Sequence, residues 1–198
     1  MSDIYTYLLE HLFLSFTSIS LAFIISVPIS YLCYKYNYIE KISFFSIQVF
    51  RIIPSIAILF ILIPIIGVGY VPAIISLVLL ALPSLILNMT QGFKNSYDKV
   101  KDIPYSLGLK EMYIFINIIF PMSLTQILLG FKLALIEIIS SATIATFIGA
   151  GGLGTLVFTG LSLNRFDLVL VGTVLISILS ISSMLISDYL IKRRKKYD

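Results

Sequence analysis

The chain has 198 residues, of which 59% are hydrophobic and only 12% charged, with mean hydropathy +1.03. The charged share is about half the roughly 25% usual in soluble domains, so an ordinary soluble domain is excluded and the bilayer is the expected solvent. The formal net charge of +4 sits in clusters between apolar runs, which argues for membrane topology and against nucleic-acid binding.

A spanning helix needs roughly 20 mostly apolar residues. The first such run is Leu12–Tyr34, which is uncharged. Before it stand Asp3, Glu10 and His11, with no basic region and no small-residue cleavage pattern, so the start does not read as a signal peptide. His11 has no His or Cys at ligand spacing and is expected at a helix end near the outer interface, not on a metal. Cys33, the single cysteine, is expected as a buried thiol. Lys35 and Lys41 then lead into a second span, Ile42–Ile66, which contains Arg51 and Pro54. A short uncharged turn, Gly67 to Pro72, makes the second and third spans neighbours. The third span is Val71–Gln91, with Pro83 inside it. Pro28, Pro54 and Pro83 predict kinks, either plain packing features or hinges.

Gly92 to Pro121 forms a charged island, GFKNSYDKVKDIPYSLGLKEMYIFINIIFP. Asp102 is a candidate N-cap, Pro104 fits a first helical turn, and Gly108 would end that short helix. A second helix is expected over Lys110–Phe120, with Pro121 opening the fourth span. The alternative is an ordinary amphipathic loop. The fourth span, Met122–Ile148, carries Lys132 and Glu137, and the fifth, Leu168–Ile191, ends near Asp188. Between them lies a glycine-rich loop containing Gly149, Gly151, Gly152 and Gly154. Three of these satisfy G-x-G-x-x-G, but an apolar span precedes them instead of a strand, so a tight backbone turn is expected and not a dinucleotide site.

Eleven of the 14 Lys and Arg follow the first span, lie in the island or close the chain at Lys192–Lys196. The positive-inside rule therefore puts the island and C-terminus in the cytoplasm and the N-terminus outside. One membrane domain over residues 8–191 and a basic tail over 192–198 are expected, the tail anchoring on the inner leaflet lipid. Arg51, Lys132 and Glu137 fall ~13, ~15 and ~22 Å from the cytoplasmic ends of their helices. Charges at that depth face protein or water, so they either form structural ion pairs or line a translocation path.

The spacing Asp102-Ile103-Pro104, Gly108-Leu109, Ile118 and Pro121 resembles the cytoplasmic loop by which ABC-importer permeases dock on their ATPase, with Asp102 at the family's Glu position. Pro54-Ser55-Ile56-Ala57, Val71-Pro72-Ala73-Ile74, Asn88-x-x-x-Gly92, Ala142-Thr143-Ile144-Ala145 and the run Phe147–Gly154 stand in the same order as in glycine betaine/carnitine/choline importer permeases. The resemblance covers about Leu12 to Ile191. It implies an all-α, five-span membrane protein of the type I ABC-importer permease arrangement. It further implies ABC ATPase subunits, a second permease subunit and an external or periplasmic substrate-binding protein as partners. The implied place is the bacterial cytoplasmic membrane. No G-x-x-x-x-G-K-[ST] occurs, so ATP is expected on the partner and no cofactor or metal on this chain. Importers of another small solute, such as an amino acid, and small integral-membrane enzymes are the alternatives.

Overall fold

The computed structural model describes residues 2–100 and 108–195. Among them every regular element is helical. In chain order these are α1 (Ser2–Lys35), α2 (Asn37–Ile52), α3 (Ser55–Ile66), α4 (Tyr70–Val100), α5 (Glu111–Met122), α6 (Leu124–Ala142), a 3-10 turn (Ile144–Ile148), α7 (Gly154–Ser162) and α8 (Phe166–Lys195).

Four helices, α1, α4, α6 and α8, are individually long and apolar enough to cross a membrane. The expected second span is not one helix. It is broken into α2 and α3, whose axes meet at 94°. A proline disfavours the helical region for the residue before it, and Ile53 is accordingly extended at φ −74°, ψ 121°. Pro54 has ψ 139° and lies outside both helices. The bent pair makes a fifth crossing if its halves act as one span. Pro28 and Pro83, by contrast, lie inside uninterrupted helices.

The core is built around α4, which packs against α1, α2, α3 and α6. Ser15, Ser18, Ala22, Ser26, Ser30 and Cys33 of α1 are all buried and recur every three or four residues. Small side chains at that spacing let backbones approach, which is how membrane helices gain packing without a hydrophobic driving force. Gly130 serves the crossing of α4 and α6. A Cβ there would meet Asn88 Cβ at 2.8 Å and the Ser84 carbonyl at 3.1 Å. Around α4, Leu77, Leu85, Met89 and Phe93 are almost wholly buried. The last helix, α8, packs mainly on α6 and α7, and its outer residues Phe166, Leu170, Ile178 and Leu185 are exposed. Such an apolar surface suits lipid or a neighbouring membrane subunit.

Two ends are distinguished by chemistry. The N-terminal part of α1, the α3–α4 turn and the glycine loop share one end, where the Gly69 amide donates to the Ile148 carbonyl at 2.6 Å. The other end gathers Lys35, Lys94, Glu40 and Glu111 in two ion pairs, Lys35–Glu111 at 3.1 Å and Lys94–Glu40 at 2.5 Å. The terminal basic run is not detached from the fold through Lys195, because α8 continues across Ile191.

Candidate functional site

Three places carry the residues singled out in the sequence. At the basic end, Asp102, Ile103 and Pro104 lie outside the described residues. Gly108 is described, exposed, and left-handed at φ +67°. Leu109 and Ile118 turn inward and pack against the core. They anchor the element and are not an exposed docking face. The exposed apolar residues of α5 are Met112, Tyr113, Ile116 and Met122. Pro121, expected to open the fourth span, sits instead in the last turn of α5, and α6 starts at Leu124.

The middle of α5 is a π turn over Phe115–Ile119. Pro121 offers no N–H to the ladder, and a widened turn just before it adapts the helix to that loss. The Asn117 side-chain amide joins in by donating to the Tyr113 carbonyl at 3.0 Å. Within this turn Phe115 is buried in an aromatic cluster, its ring 4.5 Å from Tyr31, 5.0 Å from Phe93 and 5.7 Å from Tyr34. The edge-on pairs with Tyr31 and Phe93 add roughly 0.5–1.5 kcal/mol each beyond burial. The Arg194 guanidinium donates to the Pro121 carbonyl at 3.2 Å, tying α8 to the same element. α5 is thus in direct contact with α1, α4 and α8. Phe115 was not singled out by sequence, because one aromatic among the 14 Phe carries no distinguishing local signal.

The three intramembrane charges separate into two sites. Lys132 pairs with Asp188 of α8 at 2.6 Å. It therefore stitches α6 to α8, where a lone ammonium in an apolar layer would be costly. Arg51 and Glu137 instead face one cavity of ≈170 Å³ at the α2–α3 bend, lined also by Phe50, Ile53, Leu80 and Pro83. They do not close an ion pair with each other. Ser84, next to Pro83 on α4, donates its hydroxyl to Glu137 Oε2 at 3.1 Å. Ser84 is 14 residues from Tyr70, or ~21 Å along α4, which puts the pair well inside a ~30 Å hydrocarbon layer.

At the opposite end the glycine loop is the tight turn the sequence predicts. Gly149, Gly151 and Gly152 have φ of 76°, 71° and 90°. The Gly152 amide donates to Glu10 Oε2 at 2.8 Å, and Thr146 donates to the Gly151 carbonyl at 2.9 Å. A Cβ on Gly151 would collide with the Glu10 carboxylate, and one on Gly154 with the Thr143 carbonyl oxygen. His11 is a correction. It is not a helix-end residue at the interface but is fully buried inside α1, its Nε2 3.0 Å from the Ile139 carbonyl. Close packing by Gly152, whose absent Cβ would sit 3.2 Å from His11 Nδ1, makes that burial possible. Cys33 is buried, as expected.

Comparison with known proteins agrees with this architecture. The chain is 33% identical over 172 residues to the carnitine transport permease protein OpuCB of Listeria monocytogenes, covering 87% of this chain and 79% of that protein. It is 30% identical over 182 residues to the glycine betaine/carnitine/choline transport system permease protein OpuCB of Bacillus subtilis (strain 168), covering 92% and 82%. Its fold matches a chain of the inward-facing MetNI methionine ABC transporter with TM-score 0.86 at 22% identity, over 98% of this chain and 97% of that one. An amino acid ABC transporter crystallised with histidines matches with TM-score 0.73 at 17% identity, over 97% and 94%. Residues 18–196 match the family described as the binding-protein-dependent transport system inner membrane component. The all-α chain belongs to that family of inner-membrane transport permeases and has the type I ABC-importer permease fold.

Proposed function

We infer that this chain is the permease subunit of an ATP-driven, binding-protein-dependent importer of osmoprotectants, compact quaternary amines and zwitterions such as glycine betaine, carnitine and choline. The observation that carries the reading is similarity to carnitine and glycine betaine/carnitine/choline permeases over 87% and 92% of the chain. The bent pair at Ile53-Pro54 and the charged cavity beside it support a translocation path there. Broken helices near the midplane leave backbone groups and side chains available to a solute.

The basic end faces the cytoplasm in this reading, following the positive-inside rule, and the glycine end faces the outside. The element Gly108–Pro121, together with Asp102, Ile103 and Pro104, is the contact for the ATPase subunits. A second permease chain completes the membrane core, and an external binding protein delivers solute to the glycine end. The chain itself performs no covalent chemistry.

Competition in the reconstituted importer tests the substrate assignment. Uptake of radiolabelled glycine betaine is expected, competed by carnitine or choline and not by a panel of amino acids. Uptake competed only by amino acids would keep the importer and discard the osmoprotectant.

A further inference from the structure

The cavity at the α2–α3 bend holds two opposite charges that attract each other without closing a hydrogen bond or ion pair. Arg51 makes no hydrogen bond or ion pair among the described residues, while Lys132, the other cation at depth, is paired with Asp188. Glu137 has one carboxylate oxygen, Oε2, engaged by the Ser84 hydroxyl, and no cationic side chain paired with it among the described residues. Both charges border the same ≈170 Å³ space, with the Phe50 ring in its wall. Charges inside a membrane protein are expensive, and those that face a cavity without a closed ion pair mark substrate or ion pathways.

The size and chemistry of the space select the class of ligand. The cavity is well below the roughly 300–1,000 Å³ of sites for drug-sized molecules, so it suits a compact solute. A guanidinium binds carboxylates through two parallel N–H donors. A carboxylate and an aromatic face together attract an ammonium, quaternary ones included. A small molecule bearing both a carboxylate and an ammonium would neutralise both ends at once. Neither a simple cation nor a simple anion would.

We propose that Arg51, Glu137 and Phe50 form a transit subsite for zwitterionic solutes within this chain, Arg51 taking the carboxylate and Glu137 with Phe50 taking the ammonium. The subsite rests on the importer reading above and deepens it. Discrimination is then not left wholly to an external binding protein. Carboxylate-bearing solutes are additionally recognised in the membrane, and choline, which has no carboxylate, engages only the Glu137 side.

The test is uptake by the complete reconstituted importer, with Arg51→Gln and Glu137→Gln compared to wild type for glycine betaine, carnitine and choline. Arg51→Gln is expected to lower uptake of the two carboxylates at least about tenfold while leaving choline uptake within about twofold. Glu137→Gln is expected to lower all three, with Glu137→Asp partly restoring them. A merely structural role for Arg51 would depress all three solutes alike. Membrane insertion and copurification with the ATPase check that each variant is assembled.

A second measurement does not depend on turnover. In a Cys33→Ser background, Ile53→Cys in the cavity wall is expected to react more slowly with a small thiol reagent when glycine betaine is present. Equal loss for all solutes in Arg51→Gln, or wild-type rates in both glutamine variants, together with no protection at position 53, would overturn the subsite while leaving the importer intact. Failure of the wild-type importer to move any of the three solutes would instead overturn the osmoprotectant reading and this ligand assignment with it.

Discussion

Replacing Gly108 with leucine is expected to cut ATP-driven uptake at least about tenfold while the chain still inserts in the membrane. Gly108 is exposed, and a Cβ there would meet nothing within 4 Å among the described residues, so none of them opposes the larger residue by a clash. Its φ of +67° does. A side chain in the left-handed region costs roughly 1–2 kcal/mol, which the chain relieves by changing the path it takes into α5. One to two kcal/mol shifts an equilibrium by roughly five- to thirty-fold, enough to spoil docking of an ATPase on the element. Gly108→Asn is expected to retain most uptake, because asparagine tolerates the left-handed region. Copurification of the ATPase, measured beside uptake, separates lost docking from lost insertion, and it tests the cytoplasmic placement of this end. Full copurification and uptake in the leucine variant would remove Gly108 from the coupling element.

Gly154→Val is expected to destabilise the protein by about 3 kcal/mol, at the upper end of overpacking costs. The added Cβ would overlap the Thr143 carbonyl oxygen and approach Thr146 Oγ1 to 2.5 Å. Backbone cannot swing aside as a flexible side chain can, so α7 must separate from the 3-10 turn before it. In detergent this corresponds to a fall in Tm of roughly 6–12 °C for a chain of this size. Gly149→Ala is the internal comparison. It has a φ of 76° but nothing within 4 Å of a Cβ, so only the conformational cost of roughly 1–2 kcal/mol applies. Equal Tm shifts for the two substitutions would show that close packing at Gly154 is not what holds this end together.

Hydropathy made the continuous helices legible. The predicted Leu12–Tyr34, Val71–Gln91 and Leu168–Ile191 all lie within observed helices, because an apolar run of that length has no satisfied alternative to a helix in lipid. The helices extend further, α4 as far as Val100, since amphipathic turns beyond the bilayer carry no hydropathy signal. The 94° break at Ile53-Pro54 was read only as a kink. Pro54 predicts that a helix is disturbed, but the angle depends on Ile53 and on packing against α4. Pro83, which like Pro54 stands between an aliphatic residue and a serine, interrupts nothing.

Side-chain partnerships were the least legible. Depth along their helices marks Arg51 and Glu137, yet their shared cavity, and the pairing of Lys132 with Asp188, are tertiary facts. Lys132 and Asp188 are 56 residues apart, and Glu10 and Gly152 are 142 apart, separations over which periodicity carries no information. The glycine run showed that a tight turn was needed. It did not show that the turn closes over His11, which the sequence placed at an interface and the packing buries.

As the membrane half of an importer energised by another polypeptide, this chain is not expected to move solute by itself. The measurement is uptake of radiolabelled glycine betaine into liposomes. One set holds this chain alone, and the other adds the ATPase, any second permease and the binding protein. The expected result is no ATP-dependent uptake by the chain alone, restored uptake in the complete set, and ATPase activity stimulated by the loaded binding protein. Solute movement by the lone chain without ATP, unchanged when the partners are added, would contradict it and describe a channel instead.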